Sequence, residues 1–251
     1  AMLARFNFCS PLLELVLPEY CLGCGALKGN ATWYPKGKIL SGLRPWDGPH
    51  LCAYCFEVLS AKKSVSRPLQ IEGMNSIPVV ASQWTNPLLV DLVGQWKYFG
   101  VRGLAWPLGD LLVSAILQND MADENTIWVP LPLHRKRERE RGFNQAGLLA
   151  AHLAEFCGGS IMADLFIRSR ATRQQAKLDS AQDRQNNMLG VFECRRTLDR
   201  VKLEKSRVIA VDDIVTTGAT AGSLVNFGES VGLKIEAVVC LGLARPTSSD
   251  C

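Results

Sequence analysis

From Val208 to Thr220 the chain sets two adjacent carboxylates, Asp212 and Asp213, between a β-branched apolar run and a turn rich in hydroxyls around a single glycine. This order of side chains suits a sugar phosphate. Val208 to Val211 is short and apolar, as expected of a buried parallel strand, and the residues after Gly218 read as the opening of a helix. The first N–H groups of a helix lack internal partners, and successive amides through a tight turn converge on one anion. Gly218 permits the turn, while Thr216, Thr217 and Thr220 add hydroxyl donors and leave room beside the backbone. Each hydrogen bond to a charged phosphate contributes about 1.5–3 kcal/mol, against about 0.3–1 kcal/mol from the helix dipole. Direct donors therefore dominate. The competing reading is a plain strand-turn-helix connection whose acids do nothing particular.

Carboxylates beside a phosphate would repel it unless they faced something else. A ribose diol answers, because ionised carboxylates accept hydrogen bonds from hydroxyls. Asp212 and Asp213 would also offset positive charge growing on a sugar ring as a leaving group departs.

The net charge of +4 is too small to argue nucleic-acid binding from the total. Its distribution is uneven: Arg135, Lys136, Arg137, Arg139 and Arg141 crowd around Glu138 and Glu140, just after an expected strand. A solvated loop or helix face and a cationic lid over an anionic ligand are both open here.

Four of the nine cysteines fall as Cys21-x-x-Cys24 and Cys52-x-x-Cys55. Such paired knuckles point to tetrahedral Zn²⁺ in a structural role, since four thiolates leave no open coordination position. The 27 residues between the pairs exceed the usual ribbon spacing of about 15–20. Disulfides compete, but no export signal is read, which predicts a cytoplasmic protein with reduced thiols. His50 offers an alternative ligand or an ordinary loop histidine. Cys9, Cys157, Cys194, Cys240 and Cys251 have no pairing pattern and read as core or surface thiols.

These groups need a scaffold. A chain of 251 residues with 47% hydrophobic residues suits a small module plus a domain of ordinary size. The expected division is a zinc-finger module over residues 1–66 and a second domain over 67–251, with a polar link at Ser64 to Pro68. No apolar run reaches the ~18 residues of a membrane span. Strands are expected at 77–84, 126–131, 165–168, 207–212 and 235–243, and helices at 87–98, 104–117 and 144–156. This alternation predicts an α/β fold with a parallel sheet flanked by helices and a ligand at the carboxyl ends of the strands. Leu148, Leu149, His152, Leu153 and Phe156 share a helical face, which makes His152 a packed residue. Lys97 reads as a solvated lysine that could instead face the site.

Asp212 to Thr220, with the apolar strand before them, resemble the phosphoribosyl diphosphate (PRPP) motif of type I phosphoribosyltransferases. Val129 to His134, Arg141-Gly142-Phe143-Asn144-Gln145, and Arg170, Thr172 and Gln175 leading to Arg184 and Asn187, narrow the likeness to the ComF/GntX-like branch. With the cysteine cluster the resemblance covers most of the chain. It implies a phosphoribosyltransferase-like fold that binds PRPP with Mg²⁺ and transfers ribose 5-phosphate. Leu133 and His134 would lie in a pyrophosphate loop, Arg141 would reach the diphosphate, and Ile214, Val215, Thr216, Thr217, Gly218, Ala219 and Thr220 would hold the ribose phosphate. It also implies a role in DNA uptake, with single-stranded DNA and other competence proteins as partners. A non-catalytic, single-stranded DNA-binding competence factor on the same fold is the alternative.

Overall fold

The computed structural model describes residues 20–27, 50–71, 73–168, 192–194 and 206–245. Helix α1 (Ala53–Ser60) leads into β1 (Val65–Leu69), β2 (Ile77–Trp84), α2 (Pro87–Phe99), a 3-10 turn (Arg102–Leu104) and α3 (Ala105–Gln118). Then come β3 (Thr126–Pro130), α4 (Arg135–Arg141), α5 (Gln145–Cys157), β4 (Ser160–Ile161), β5 (Phe166–Arg168) and β6 (Phe192–Cys194). The last elements are β7 (Arg207–Val211), β8 (Ile214–Val215), α6 (Ala219–Ser230) and β9 (Ala237–Leu243).

The main sheet runs β1-β2-β9-β7-β3-β4, with β8 also pairing with β9. All its pairings are parallel except β1 with β2. This is the α/β architecture expected from the alternation of strands and helices. All seven residues of β9 are buried, which explains its unbroken apolar run. Alternate residues serve opposite faces. Ile209, Val211, Val239 and Leu241 pack with the apolar sides of α2, α3 and α5, whereas Val208, Ala210, Val238 and Cys240 pack with Leu224 and Val225 of α6. Outside this sheet, β5 and β6 form an antiparallel pair.

Local signals set the helix boundaries. Asn86 caps α2 by accepting from Leu89 N at 3.0 Å, Pro87 follows it, and Gly100 ends the helix in the left-handed region. Asn144 caps α5 in the same way and also ties Leu131 O, at 3.0 Å, to the start of that helix. His152 is buried on α5, with Nε2 2.5 Å from Asp110 Oδ1 of α3, so it is a packed residue. On the same helix Phe156 remains exposed and Ala146 and Ala150 take the inner face instead.

The stretch read as a link at Ser64 to Pro68 is a correction. Val65–Leu69 is an edge strand of the sheet, and Pro68 is tolerated there because an edge leaves one row of N–H groups unpaired. The cysteine knuckles also share their apolar surroundings with the sheet-covering helices: Cys21, Leu51, Cys52, Cys55 and Leu59 belong to one buried cluster with Leu89, Leu92 and Trp96. Gln95 Nε2 donates to Leu22 O at 3.2 Å, adding a polar tie. Among the described residues no helix is long and apolar enough to cross a membrane.

Candidate functional site

The carboxyl ends of β3 and β7 lie side by side. Val129 and Pro130 pair with Ala210 and Val211, and Leu131 N then donates to Val211 O at 2.8 Å. The loop from Leu131 to His134 therefore leaves the sheet next to the point where Asp212 leaves it. Asp212 N donates to Val239 O at 2.9 Å, anchoring the acid pair to the central strand.

Each acid has one oxygen committed inside the protein. Asp212 Oδ1 accepts from Asp213 N at 2.8 Å, and Asp213 Oδ1 accepts from Ile214 N and from Lys97 Nζ, both at 2.6 Å. Oδ2 of each accepts no hydrogen bond among the described residues. Loss of solvent around Asp212, followed by the charge of Asp213, pushes its carboxyl up to about 7, while Lys97 and Arg168 oppose the rise. Lys97 thus neutralises one acid and leaves Asp212 poised near neutrality. No local pattern around Lys97 favours this partner over solvent, because the contact spans 116 positions.

The turn follows. Gly218 is buried at φ +81°, and a Cβ there would come within 2.3 Å of Leu69 Cδ1. The backbone angle calls for glycine, and a Cβ would in addition push the Leu69 side chain aside. Gly222 N bonds Gly218 O at 2.7 Å, the first closure of the α6 ladder. Of the amides ahead of it in the turn, that of Ala219 is engaged by Thr217 Oγ1 at 3.4 Å. Thr216 and Thr217 are exposed, so the turn presents amides and hydroxyls together at an open surface. Amides and hydroxyls at a helix start are groups that can hold an anion.

Beyond Leu133, the basic run is helix α4, with no buried residue. His134 Nδ1 accepts from Lys136 N at 3.2 Å, which makes His134 the helix cap. Arg141 donates to Gln145 Oε1 at 3.0 Å and stands 5.7 Å from the Tyr98 ring, so it is held at the end of α2 that carries Lys97. A cavity of about 150 Å³ opens between the 131–134 loop, α4 and β5, lined by Leu133, Arg135, Asn144, Asp164 and Arg168 among others. Burial first, and then Arg137, lower the pKa of Arg168, while Asp212 raises it, which places its charge among the site's ionic groups. Arg168 was legible only as a strand end. Arg170, Thr172, Gln175, Arg184 and Asn187 lie outside the described residues.

The four thiols of Cys21, Cys24, Cys52 and Cys55 lie within 4.8 Å of one another and can hold a metal ion. Cys24 Sγ and Cys52 Sγ are 3.7 Å apart, far beyond a disulfide bond of about 2.05 Å. Four sulfurs about 2.3 Å from a tetrahedral ion would be about 3.8 Å apart, which agrees. Although burial acts to raise Cys21, the N–H groups of Cys52, Cys24 and Gly23 bring its thiol down to about 7; burial pushes Cys52 and Cys55 up. A Cβ on Gly23 would meet Cys55 Sγ at 2.8 Å and Cys55 Cβ at 3.1 Å, so any larger residue there pushes against a thiol of the cluster. His50 lies outside the thiol cluster, with its carbonyl accepting from Leu22 N at 2.9 Å.

The protein thus combines a mostly parallel α/β sheet, with an acid pair and a hydroxyl-rich turn at its carboxyl edge, and a four-thiol knuckle. No protein-family model matches the chain. It is 32% identical over 169 residues to the DNA utilization protein YhgH of Salmonella typhi, covering 65% of this chain and 70% of that protein. It is 32% identical over 117 residues to competence protein F of Haemophilus influenzae, covering 47% of this chain and 49%, about half, of that protein. Over 98 residues it is 35% identical to competence protein ComFC of Bacillus subtilis, covering 39% and 36% of the two chains. The chain belongs to the ComF-like family.

Two expectations follow. Asp212 takes up a proton in the folded state between its ordinary 3.8 and about 7, whereas the unfolded chain has released it. Its contribution to folding stability therefore falls as pH rises through that window. Asp212→Asn keeps an acceptor for Asp213 N and is expected to raise unfolding stability by about 1–4 kcal/mol at pH 8 and by almost nothing at pH 4, measured by urea denaturation. Elemental analysis is expected to find one zinc per chain, and Cys24→Ser to lose it and lower the thermal midpoint by roughly 10 °C or more.

Proposed function

We propose that this protein binds PRPP with Mg²⁺ at the carboxyl edge of its sheet and transfers ribose 5-phosphate in the course of DNA uptake. In this reading residues 1–66 serve as a zinc-held module and residues 67–251 as the ligand-binding domain. The observation that carries the reading is the turn: amides and hydroxyls from Thr216 to Thr220 precede the α6 ladder, directly after an acid pair with two uncommitted oxygens. The names of its relatives, competence proteins and DNA utilization proteins, support the biological setting.

The roles follow from the chemistry. Thr216, Thr217, Gly218, Ala219 and Thr220 hold the 5-phosphate, with Ile214 and Val215 fixing the turn to β9. Asp212 and Asp213 offer Oδ2 to ribose hydroxyls and oppose positive charge that develops on the ring. Leu133 and His134 line the diphosphate side, and Arg141 and Arg168 supply cations near it. Those carboxylate oxygens suit a hard divalent ion, and Mg²⁺, when bound, neutralises diphosphate charge. With Asp213 paired to Lys97, Asp212 is the acid left to share.

A second reading rests on a different surface. Tyr98 and Phe99, 76% and 79% exposed, stand at the end of α2 beside Arg141 and the cationic α4. Exposed rings among cations form a stacking platform for single-stranded DNA. The aromatic residues Trp33, Tyr34 and Trp46 lie outside the described residues.

Calorimetry separates the two. PRPP with Mg²⁺ is expected to bind the wild-type protein, and Asp213→Ala to weaken it at least about tenfold and to impair transformation in cells. Absence of PRPP binding, with cellular function intact in Asp213→Ala, sinks the first reading. For single-stranded DNA, affinity should fall steeply with salt if phosphates are contacted; flat or absent binding removes the second.

A further inference from the structure

We infer that Arg67, outside the 208–220 motif, is a positioning residue that aims the Thr217 N–H at the 5-phosphate. The inference rests on the sugar-phosphate reading of the turn. Arg67 sits on edge strand β1, 149 positions from Thr216, and its Nη2 donates to Thr216 O at 2.9 Å. It is the only hydrogen bond that the Arg67 side chain makes among the described residues.

The consequence comes from peptide geometry. The carbonyl of Thr216 and the N–H of Thr217 belong to one planar trans unit and point in opposite directions. A guanidinium that draws the carbonyl toward β1 therefore turns the N–H away from β1. It also withdraws from the ligand's side an oxygen that would repel an anion. Thr216 and Thr217 are both exposed, so side-chain packing does not fix this plane. Leu69, two residues along the same strand, presses against Gly218, and β1 thus braces two consecutive parts of the turn. Arg67 further sets one positive charge a single peptide unit from the anion, with four of its five N–H groups uncommitted among the described residues.

Arg67→Ala and Arg67→Lys, titrated with ribose 5-phosphate and separately with Mg²⁺-pyrophosphate, test this. Arg67→Ala is expected to weaken ribose 5-phosphate about tenfold, with Arg67→Lys recovering part of the loss. Pyrophosphate affinity and the thermal midpoint should stay unchanged. In ¹⁵N spectra the Thr217 amide should shift on adding ribose 5-phosphate to the wild-type protein, and much less in Arg67→Ala. If wild-type protein binds ribose 5-phosphate and Arg67→Ala matches it within about twofold, Arg67 has no such role and the reading of the turn survives. Equal losses for both ligands also overturn the role of Arg67. If wild-type protein binds neither ligand, the reading of the turn falls and this inference with it.

Discussion

The common register of β3, β7 and β9 is the constraint on which the site depends. Because these strands run parallel and are paired residue for residue, their carboxyl ends meet at one edge of the sheet. Hydrogen bonding continues past the ends of β3 and β7: Leu131 N donates to Val211 O, Asp212 N to Val239 O, and Leu241 N of β9 to Asp213 O. Shifting any strand by one residue would turn its core side chains to the other face and separate the loop from the acids.

Around that edge the electrostatics are set by burial and pairing. Two adjacent carboxylates in a desolvated corner cannot both ionise cheaply, and Lys97 relieves one of them at 2.6 Å. Asp212 bears the remaining strain as an upward shift, a cost in stability characteristic of functional sites. The cysteine cluster has a separate role. Its four thiols leave no open metal position, and its buried members share one apolar cluster with α2, the helix that carries Lys97. A metal there would brace α2, and through α2 the ion pair.

Much of this was legible in the residues. The β-branched run before Asp212 and the apolar periodicity of 87–98 and 144–156 specify their elements by local chemistry, and the structure follows them closely. The paired Cys-x-x-Cys spacing likewise foretold the thiol cluster, although the long insertion between the knuckles weakened the pattern. Ser64 to Pro68 misled because proline and polar residues mark both links and edge strands, and only a neighbouring strand distinguishes them. Lys97, Arg67 and Arg168 carried no local mark. A lone cation on a helix or strand looks the same whether it meets solvent or a carboxylate.

The acid pair, the glycine turn, the four thiols and the alternation of strands and helices can be read from the residues alone, because each depends on neighbours within a few positions. Folding in three dimensions sets which acid pairs with Lys97, which cation bonds the Thr216 carbonyl and how the cysteine knuckles share the main core. Those contacts join residues 116 and 149 positions apart. No short-range rule of propensity or capping acts across such separations; sheet pairing and burial bring the partners together.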